Sequence, residues 1–438
     1  VLVVLSFPPW DFDFLIWIAL TPWLFDLARQ RHWKDQLREG IWFSVLMTIG
    51  GFHWVASVLH EFGDLPWPVA IGMLLAFSLG NQPQFAATSI LFTPAFTWLE
   101  ALRGTSARRS VLLNAVFFAL LYTALDWILP KLFVDTMGHA LYRMERIRQL
   151  ADLGGAWLLT TLVVLCNLCV VELYRAVHRL PSWRAFGRAD PAFPLVVLTG
   201  LLLAASWTYG TIRYEQATQW AAAPLGRVRF AGIQGNIGDF DKLASESGGR
   251  EAGLRVLKTY FRLSDRALSQ PDKPEFLVWP ETAYPSTFRN PDNATEIERD
   301  RLVDEYVQVR DVPLFFGGYD RSGGFDYNSL FLLYPPSTVR LGGLPREFQI
   351  RDDLLVYHKN MILLFGEYIP FADTFPAIKR MFPQVGNFGR GPGPVAIQAP
   401  IPGENPLKTI TVSPVICYEA VWPNYSIDAA KKGSQLIF

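Results

Sequence analysis

The chain has 438 residues with 40 Lys and Arg against 40 Asp and Glu, a formal net charge of zero. That balance provides no global field to attract nucleic acid, so none is expected as a partner. The length fits two or three ordinary domains, and the overall hydrophobic fraction of 50% hides two unlike halves.

Taken in chain order, the opening "VLVVLSFPPW" has no basic leader and no small-residue cleavage site. It reads as the tail of a helix that begins earlier rather than as a secretory signal. Stretches 14–25, 40–59, 66–99, 110–125, 154–171 and 191–212 contain no Asp, Glu, Lys or Arg. A helix needs roughly 20 mostly apolar residues to cross a bilayer. Stretches 40–59 and 191–212 meet this alone, 110–125 and 154–171 with their flanks, and 14–25 if Asp11, Asp13 and Asp26 sit at the interfaces. Stretch 66–99 would be about 50 Å as one straight helix; "GNQPQF" interrupts it, and it is read as one long, kinked or tilted span. Residues 1–212 are thus expected to form a transmembrane bundle of six complete spans plus a remnant of the first.

Basic loops set the orientation. Arg29, Arg31, Lys34 and Arg38, then Arg103, Arg108 and Arg109, then Arg175, Arg179, Arg184 and Arg188, cluster between the apolar runs, whereas "HEFGDL" at 60–65 carries acids only. The positive-inside rule places the three basic loops in the cytoplasm, and the last span then runs outward. Arg143, Arg146 and Arg148 in the outer loop 132–154 oppose this and are assigned to an interfacial helix. His53 and Asp126 are embedded polar groups and functional candidates on that ground. The Cys166–Cys169 pair in "CNLC" lies in an apolar helix and is read as packing.

Residues 213–226 read as a linker and 227–438 as an extracytoplasmic globular domain. Strands are expected at 227–237, 275–285, 312–320, 327–335, 408–419 and 434–438, with a helix at 257–269. Strands separated by helix-length segments indicate an α/β domain. The final strand stops at Phe438, so the domain is expected to continue beyond it.

Three polar residues stand out in this apolar frame: Glu281, right after a strand in "WPETAYP", Lys359 in "YHKNMILLFGEYIPF", eight residues before Glu367, and Cys417, ending its strand in "ICYE". Singly, each has a structural explanation: a turn residue, a surface charge and a small buried hydrophobe. Together they form a definite chemistry. A carboxylate can take the proton of a thiol, and an ammonium can hold the thiolate and then the oxyanion of a tetrahedral intermediate. Acyl transfer through a thioester follows, without histidine or cofactor. Cys417 is the one cysteine after residue 213, so it has no disulfide partner within that domain. The six histidines show no metal-ligand spacing, and no glycine-rich phosphate loop occurs.

These motifs, in this order behind a helical half, resemble the apolipoprotein N-acyltransferases, bacterial inner-membrane enzymes with a nitrilase-like domain. "IQGNI" (233–237), "YNS" (327–329) and "QLADLGGAWLL" (149–159) extend the resemblance over nearly the whole chain. It implies a multi-pass helical membrane domain followed by an α/β nitrilase-like αββα sandwich facing the periplasm. It implies a catalytic set of Glu281, Lys359 and Cys417, a second essential acid at Glu367, and supporting roles for Tyr418 and Glu419. It also implies a phospholipid acyl donor, a diacylated lipoprotein acceptor and a ping-pong thioester route. The sequence departs from the family at Leu364, where proline is common, and at Leu243, near which many members carry tryptophan. The segment and span that usually follow the cysteine strand are absent. The run 361–371 is read as a lid or membrane-dipping loop. Two other readings use the same residues: a membrane-anchored nitrilase-type amidase or hydrolase, and a non-catalytic membrane scaffold or pseudoenzyme.

Overall fold

The computed structural model describes residues 1–30, 32–61, 63–101, 107–179, 187, 190–224, 226–238, 244–245, 249–339, 349–351, 353–364, 366–369, 374, 388–402 and 408–438. Arg31, Arg103, Arg184, Arg188, Leu243, Phe365 and residues 370–373 of the expected loops lie outside this set. The chain divides into two units, Val1–Pro224 and Leu225–Phe438.

In the first unit, helices follow the apolar runs: α1 Thr21–Leu27, α2 Trp33–Phe52, α3 Trp54–Glu61, α4 Trp67–Gly80, α5 Pro83–Ala101, α6 Ala107–Ile128, α7 Ala151–Arg179 and α8 Phe193–Ala222. Among the described residues, three helical segments, Val111–Ile128, Ile147–His178 and Phe193–Ala222, are long and apolar enough to cross a membrane, and α2 with α3, bent by 58°, counts as a fourth if the bent pair is one span. Stretch 14–25 does not span: it is a 3-10 turn, Asp13–Trp17, followed by the seven-residue α1. Pro22 starts a new helix here, and the Oδ1 of buried Asn167 on α7 accepts from the Leu20 and Thr21 amides at 2.8 and 3.1 Å. In "CNLC", therefore, the asparagine between the cysteines ties two elements together, while both thiols are buried and free.

Run 66–99 is two helices end to end, breaking at Asn81–Gln82. Gln36 donates to Thr93 at 2.6 Å, Ser44 to the Ser78 carbonyl at 3.3 Å, and His60 stacks on Trp67 at 4.4 Å. Positions advance along α2–α3 as they fall along α4–α5, so the broken pair runs as one path antiparallel to its neighbour. Large apolar side chains such as Trp42, Leu46, Ile71, Leu79, Leu201 and Trp207 face outward, as lipid-facing side chains do. Asp126, by contrast, is buried and paired with Lys131 at 2.8 Å. His53 is exposed and bonds the Gly50 carbonyl at 3.2 Å. No α-helix carries the outer-loop arginines: Arg143 lies between two 3-10 turns, Met137–Leu141 and Ile147–Leu150, Arg146 precedes the second turn and Arg148 lies in it, and Arg146 sits over the rings of Trp207 and Tyr214 at 5.2 and 5.8 Å. Helix α8 runs to Ala222, so most of the stretch expected as a linker at 213–226 is helical. Polar Arg213 extends it because its guanidinium pairs with Asp152 at 2.8 Å.

The second unit holds two sheets. One has the order β1–β2–β3–β4–β6–β5, formed by Phe230–Gly232, Phe276–Val278, Leu314–Ser322, Phe325–Leu333, Leu354–His358 and Gln349–Arg351. β1, β2 and β3 are parallel; β3, β4, β6 and β5 pair antiparallel. The other sheet is β7 Ile397–Pro400, β8 Thr409–Ser413 and β9 Leu436–Ile437. Period-two alternation sorts the side chains. Leu314, Phe316, Phe331, Leu333, Leu354 and Val356 pack on helices α9 Arg250–Leu268 and α10 Ala294–Arg310 through Leu257, Tyr260, Val303 and Val307. Phe315, Leu332, Leu355 and Tyr357 face the second sheet through Ile397, Ala399 and Val412. Helix α11 Pro423–Lys431 joins β8 to β9, which are parallel. The result is a helical unit followed by an α/β unit in which helices cover one face of the larger sheet and the smaller sheet covers the other.

Candidate active site

Glu281 sits just past the end of β2. It can sit there because of Gly317 on the neighbouring strand: a Cβ at 317 would come within 2.6 Å of the Glu281 Cα and the Thr282 nitrogen. Thr282 itself has φ +50°, a left-handed conformation that costs energy outside glycine. Gly317→Ala should therefore displace the Glu281 turn. The expected result is a stability loss of about 1–3 kcal/mol in denaturant titration with a larger fall in turnover than in substrate affinity. An unchanged enzyme would show that the turn is not held from below.

Lys359 follows β6. Its side chain is 1% exposed and lies 2.8 Å from Glu367 Oε1 and 3.6 Å from Glu281 Oε1. Burial alone would lower its pKa; the carboxylates of Glu367 and then Glu281 outweigh that and raise it, so the ammonium stays charged. Glu367 is fixed in turn by the Leu363 amide, which donates to Oε2 at 2.9 Å. In the run 361–371, Leu364 is exposed and Leu363 half-buried.

Cys417 opens a 3-10 turn, Cys417–Val421, with φ +49°. It is exposed and lines one cavity with Glu281. Partial desolvation of the sulfur, on the side of the residue that faces the protein, and then the Glu281 charge hold the thiol above its usual pKa, while Lys359 pulls the other way. That balance favours the thiol over a preformed thiolate in the resting site. The cavity is about 230 Å³ and is also bordered by Trp279, Leu330 and Ile416.

Two further residues organise these groups. Glu419 is fully buried and accepts from the Tyr357 hydroxyl (2.8 Å), the Asn360 amide (2.7 Å) and the Ile416 amide (2.8 Å). Those amides flank Lys359 and Cys417, so one carboxylate ties both loops. Asn328 on β4 donates to Glu281 at 2.7 Å and to Glu367 at 2.9 Å. The sequence reading singled out "YNS" only as part of the resemblance. A strand asparagine facing two distant acids is invisible until the strands pair. Tyr418 stands edge-on to Trp422 at 6.0 Å on the same turn and stays half-buried. The structure thus brings Glu281, Lys359, Glu367 and Cys417 into one cluster, with Glu419 behind it and Tyr418 beside it.

Residues 1–169 match the apolipoprotein N-acyltransferase N-terminal domain. Over 99% of its length the chain is 27% identical to an apolipoprotein N-acyltransferase of Bdellovibrio bacteriovorus, spanning 73% of that protein. Over 100% of its length it is 28% identical to one of Geobacter metallireducens, spanning 74% of it. Among solved structures, an amidase from Nesterenkonia sp. AN1 with an acrylamide adduct on its active-site cysteine is 15% identical, with a TM-score of 0.30 over 48% of this chain and 65% of that one. A carbon-nitrogen hydrolase from Helicobacter pylori G27 is 18% identical, with a TM-score of 0.26 over 43% of this chain and 54% of that one.

Proposed function

We propose that this chain, a relative of the apolipoprotein N-acyltransferases along its whole length, moves a fatty acyl chain from a phospholipid to the N-terminal α-amine of a diacylglyceryl-cysteine lipoprotein. The observation that carries the reading is the cluster in which a thiol, two carboxylates and a buried ammonium meet. Its setting would be the bacterial inner membrane, with the globular unit extracytoplasmic.

The steps follow from the groups. Glu281 takes the proton of the Cys417 thiol as the sulfur attacks the ester carbonyl of the phospholipid. The carbonyl electrons move onto oxygen, and Lys359 is the fixed positive charge nearest the reacting carbon. Collapse breaks the ester C–O bond; Glu281 returns the proton to the leaving alkoxide, and a lysophospholipid departs. The acyl group is left on sulfur as a thioester. The lipoprotein α-amine then attacks the same carbon. Glu281 accepts the amine proton, the C–S bond breaks, and the proton goes back to sulfur. Glu367 holds Lys359 in place throughout. Glu419 keeps the Lys359 and Cys417 loops together, and Tyr418 on the same turn shapes the rim.

Water in place of the amine would make the same site a hydrolase. Supplying the purified full chain with phospholipid and a diacylated lipopeptide separates the outcomes by mass spectrometry. A triacylated lipopeptide with matching lysophospholipid is expected. Free fatty acid without acylated peptide would establish the hydrolase instead, and no turnover with an inert Cys417 would establish a scaffold.

A further inference from the structure

We propose that Asn328 is a positioning residue for acyl transfer, acting by holding the Glu281 and Glu367 carboxylates side by side against Lys359. This rests on the catalytic reading of Glu281 and Cys417 given above.

Glu281 Oε1 and Glu367 Oε1 both face the Lys359 ammonium, at 3.6 and 2.8 Å. Two negative charges converging on one ammonium repel each other. Asn328 Nδ2 lies between them and has two hydrogens, one for each oxygen, at 2.7 and 2.9 Å. It thus bridges like charges without adding charge of its own. The same residue fixes the lysine from behind, its backbone carbonyl accepting from the Lys359 amide at 2.9 Å.

Asn328 is 4% exposed, and its Oδ1 is buried with no hydrogen-bond partner among the described residues. Turning the amide over would aim that oxygen at both carboxylates, so their charge dictates which way the amide points. Glu281 is the member that needs a tether. Its side chain is 34% exposed, and water competes for it. Freed from Asn328, it has room to swing off the thiol it must deprotonate. Among the described residues, the charged and titratable groups around the amide are Glu281, Glu367, Lys359 and Cys417. The His358–Asp320 pair, 2.7 Å apart, lies one residue along the strand against the Tyr327 ring.

Asn328→Asp tests this in the full chain, since it keeps the shape and replaces the donor with a third carboxylate. Transfer from labelled phospholipid to a diacylated lipopeptide should fall by about tenfold or more at neutral pH. The acid limb of the kcat/KM profile should move up by about one pH unit, because an added negative charge favours protonation of its neighbours. KM for the phospholipid should stay near the wild-type value. Asn328→Ser is the second variant, for use if the aspartate protein does not accumulate. It shortens the donor without adding charge, and its kcat should fall with KM unchanged and far-ultraviolet circular dichroism intact. Full activity in either variant, or a fall in the aspartate variant with an unmoved acid limb, overturns the proposal. A wild-type enzyme that forms no acyl-enzyme on Cys417 would instead sink the catalytic reading on which it rests.

Discussion

Glu281→Gln should lower acyl transfer by about 10³-fold while making Cys417 alkylate faster than in the wild-type chain. The first effect follows from the general-base role proposed for Glu281, a contribution of roughly 10²–10⁴. The second follows from the sign of the electrostatics. The Glu281 charge, after burial, is what holds the thiol pKa up. A neutral amide releases that constraint, the pKa falls, and more thiolate is present at a given pH. The gain is partly offset because a less basic thiolate is a weaker nucleophile. A net gain of about threefold in iodoacetamide labelling near pH 7 is expected. A variant that lost transfer by unfolding would label without that modest, pH-dependent change. Slower labelling in Glu281→Gln would show that the carboxylate does not act on the sulfur.

Lys359→Met should lower transfer by a similar factor and move labelling the other way. Losing one preorganised stabiliser of the oxyanion costs about 10²–10³ in kcat. Lys359 also pulls the thiol pKa down, so its removal raises the pKa and slows labelling at neutral pH. The substitution carries a stability cost that Glu281→Gln does not. The ammonium is buried at 1% exposure, and Glu367 at 14% is left beside it without its partner. Breaking a buried ion pair from one side costs about 3–5 kcal/mol; some solvent reaches Glu367, so the lower end applies. Thermal unfolding should report that loss, with labelling measured below the transition. The two variants thus share a direction in activity and oppose each other in thiol reactivity. A common direction in both readouts would contradict the roles assigned to the two side chains.

How far the sequence led depends on what kind of signal each element carries. β3 and β4 are long apolar strands joined by a tight turn, and both are plain in the pattern. Helix α9 has a regular apolar stripe and was expected at 257–269, close to its C-terminal half. Helix α10 is different: the residues it buries include Arg299 and Asp300 as well as Val303 and Val307. Polar side chains take up part of its inner face, so no apolar periodicity marks it. The short strands β5, β6 and β7 were missed because three to five residues carry too little pattern to separate a strand from a loop.

In the helical unit, charge-free runs located the segments but not how each is broken. Nothing in stretch 14–25 shows that Asn167, almost 150 residues later, caps the helix that starts at Thr21. Likewise Lys131, the partner of Asp126, sits just past an apolar helix, where a lysine reads as an interface charge. The site was more legible. Glu281, Lys359, Glu367 and Cys417 stood out through motif order and resemblance. Their mutual support by Asn328 and the tie through Glu419 depend on strand register and loop closure, which single-sequence patterns do not encode.

The most direct test of the central claim is to incubate the purified chain with a phospholipid bearing an alkyne-labelled acyl chain, omit the lipoprotein acceptor, and map the protein by mass spectrometry. The account predicts one added acyl mass on the Cys417 peptide, removed by neutral hydroxylamine as a thioester is, with an equal amount of lysophospholipid released. Acyl label on any other residue, or an unmodified Cys417 while phospholipid is consumed, would contradict it.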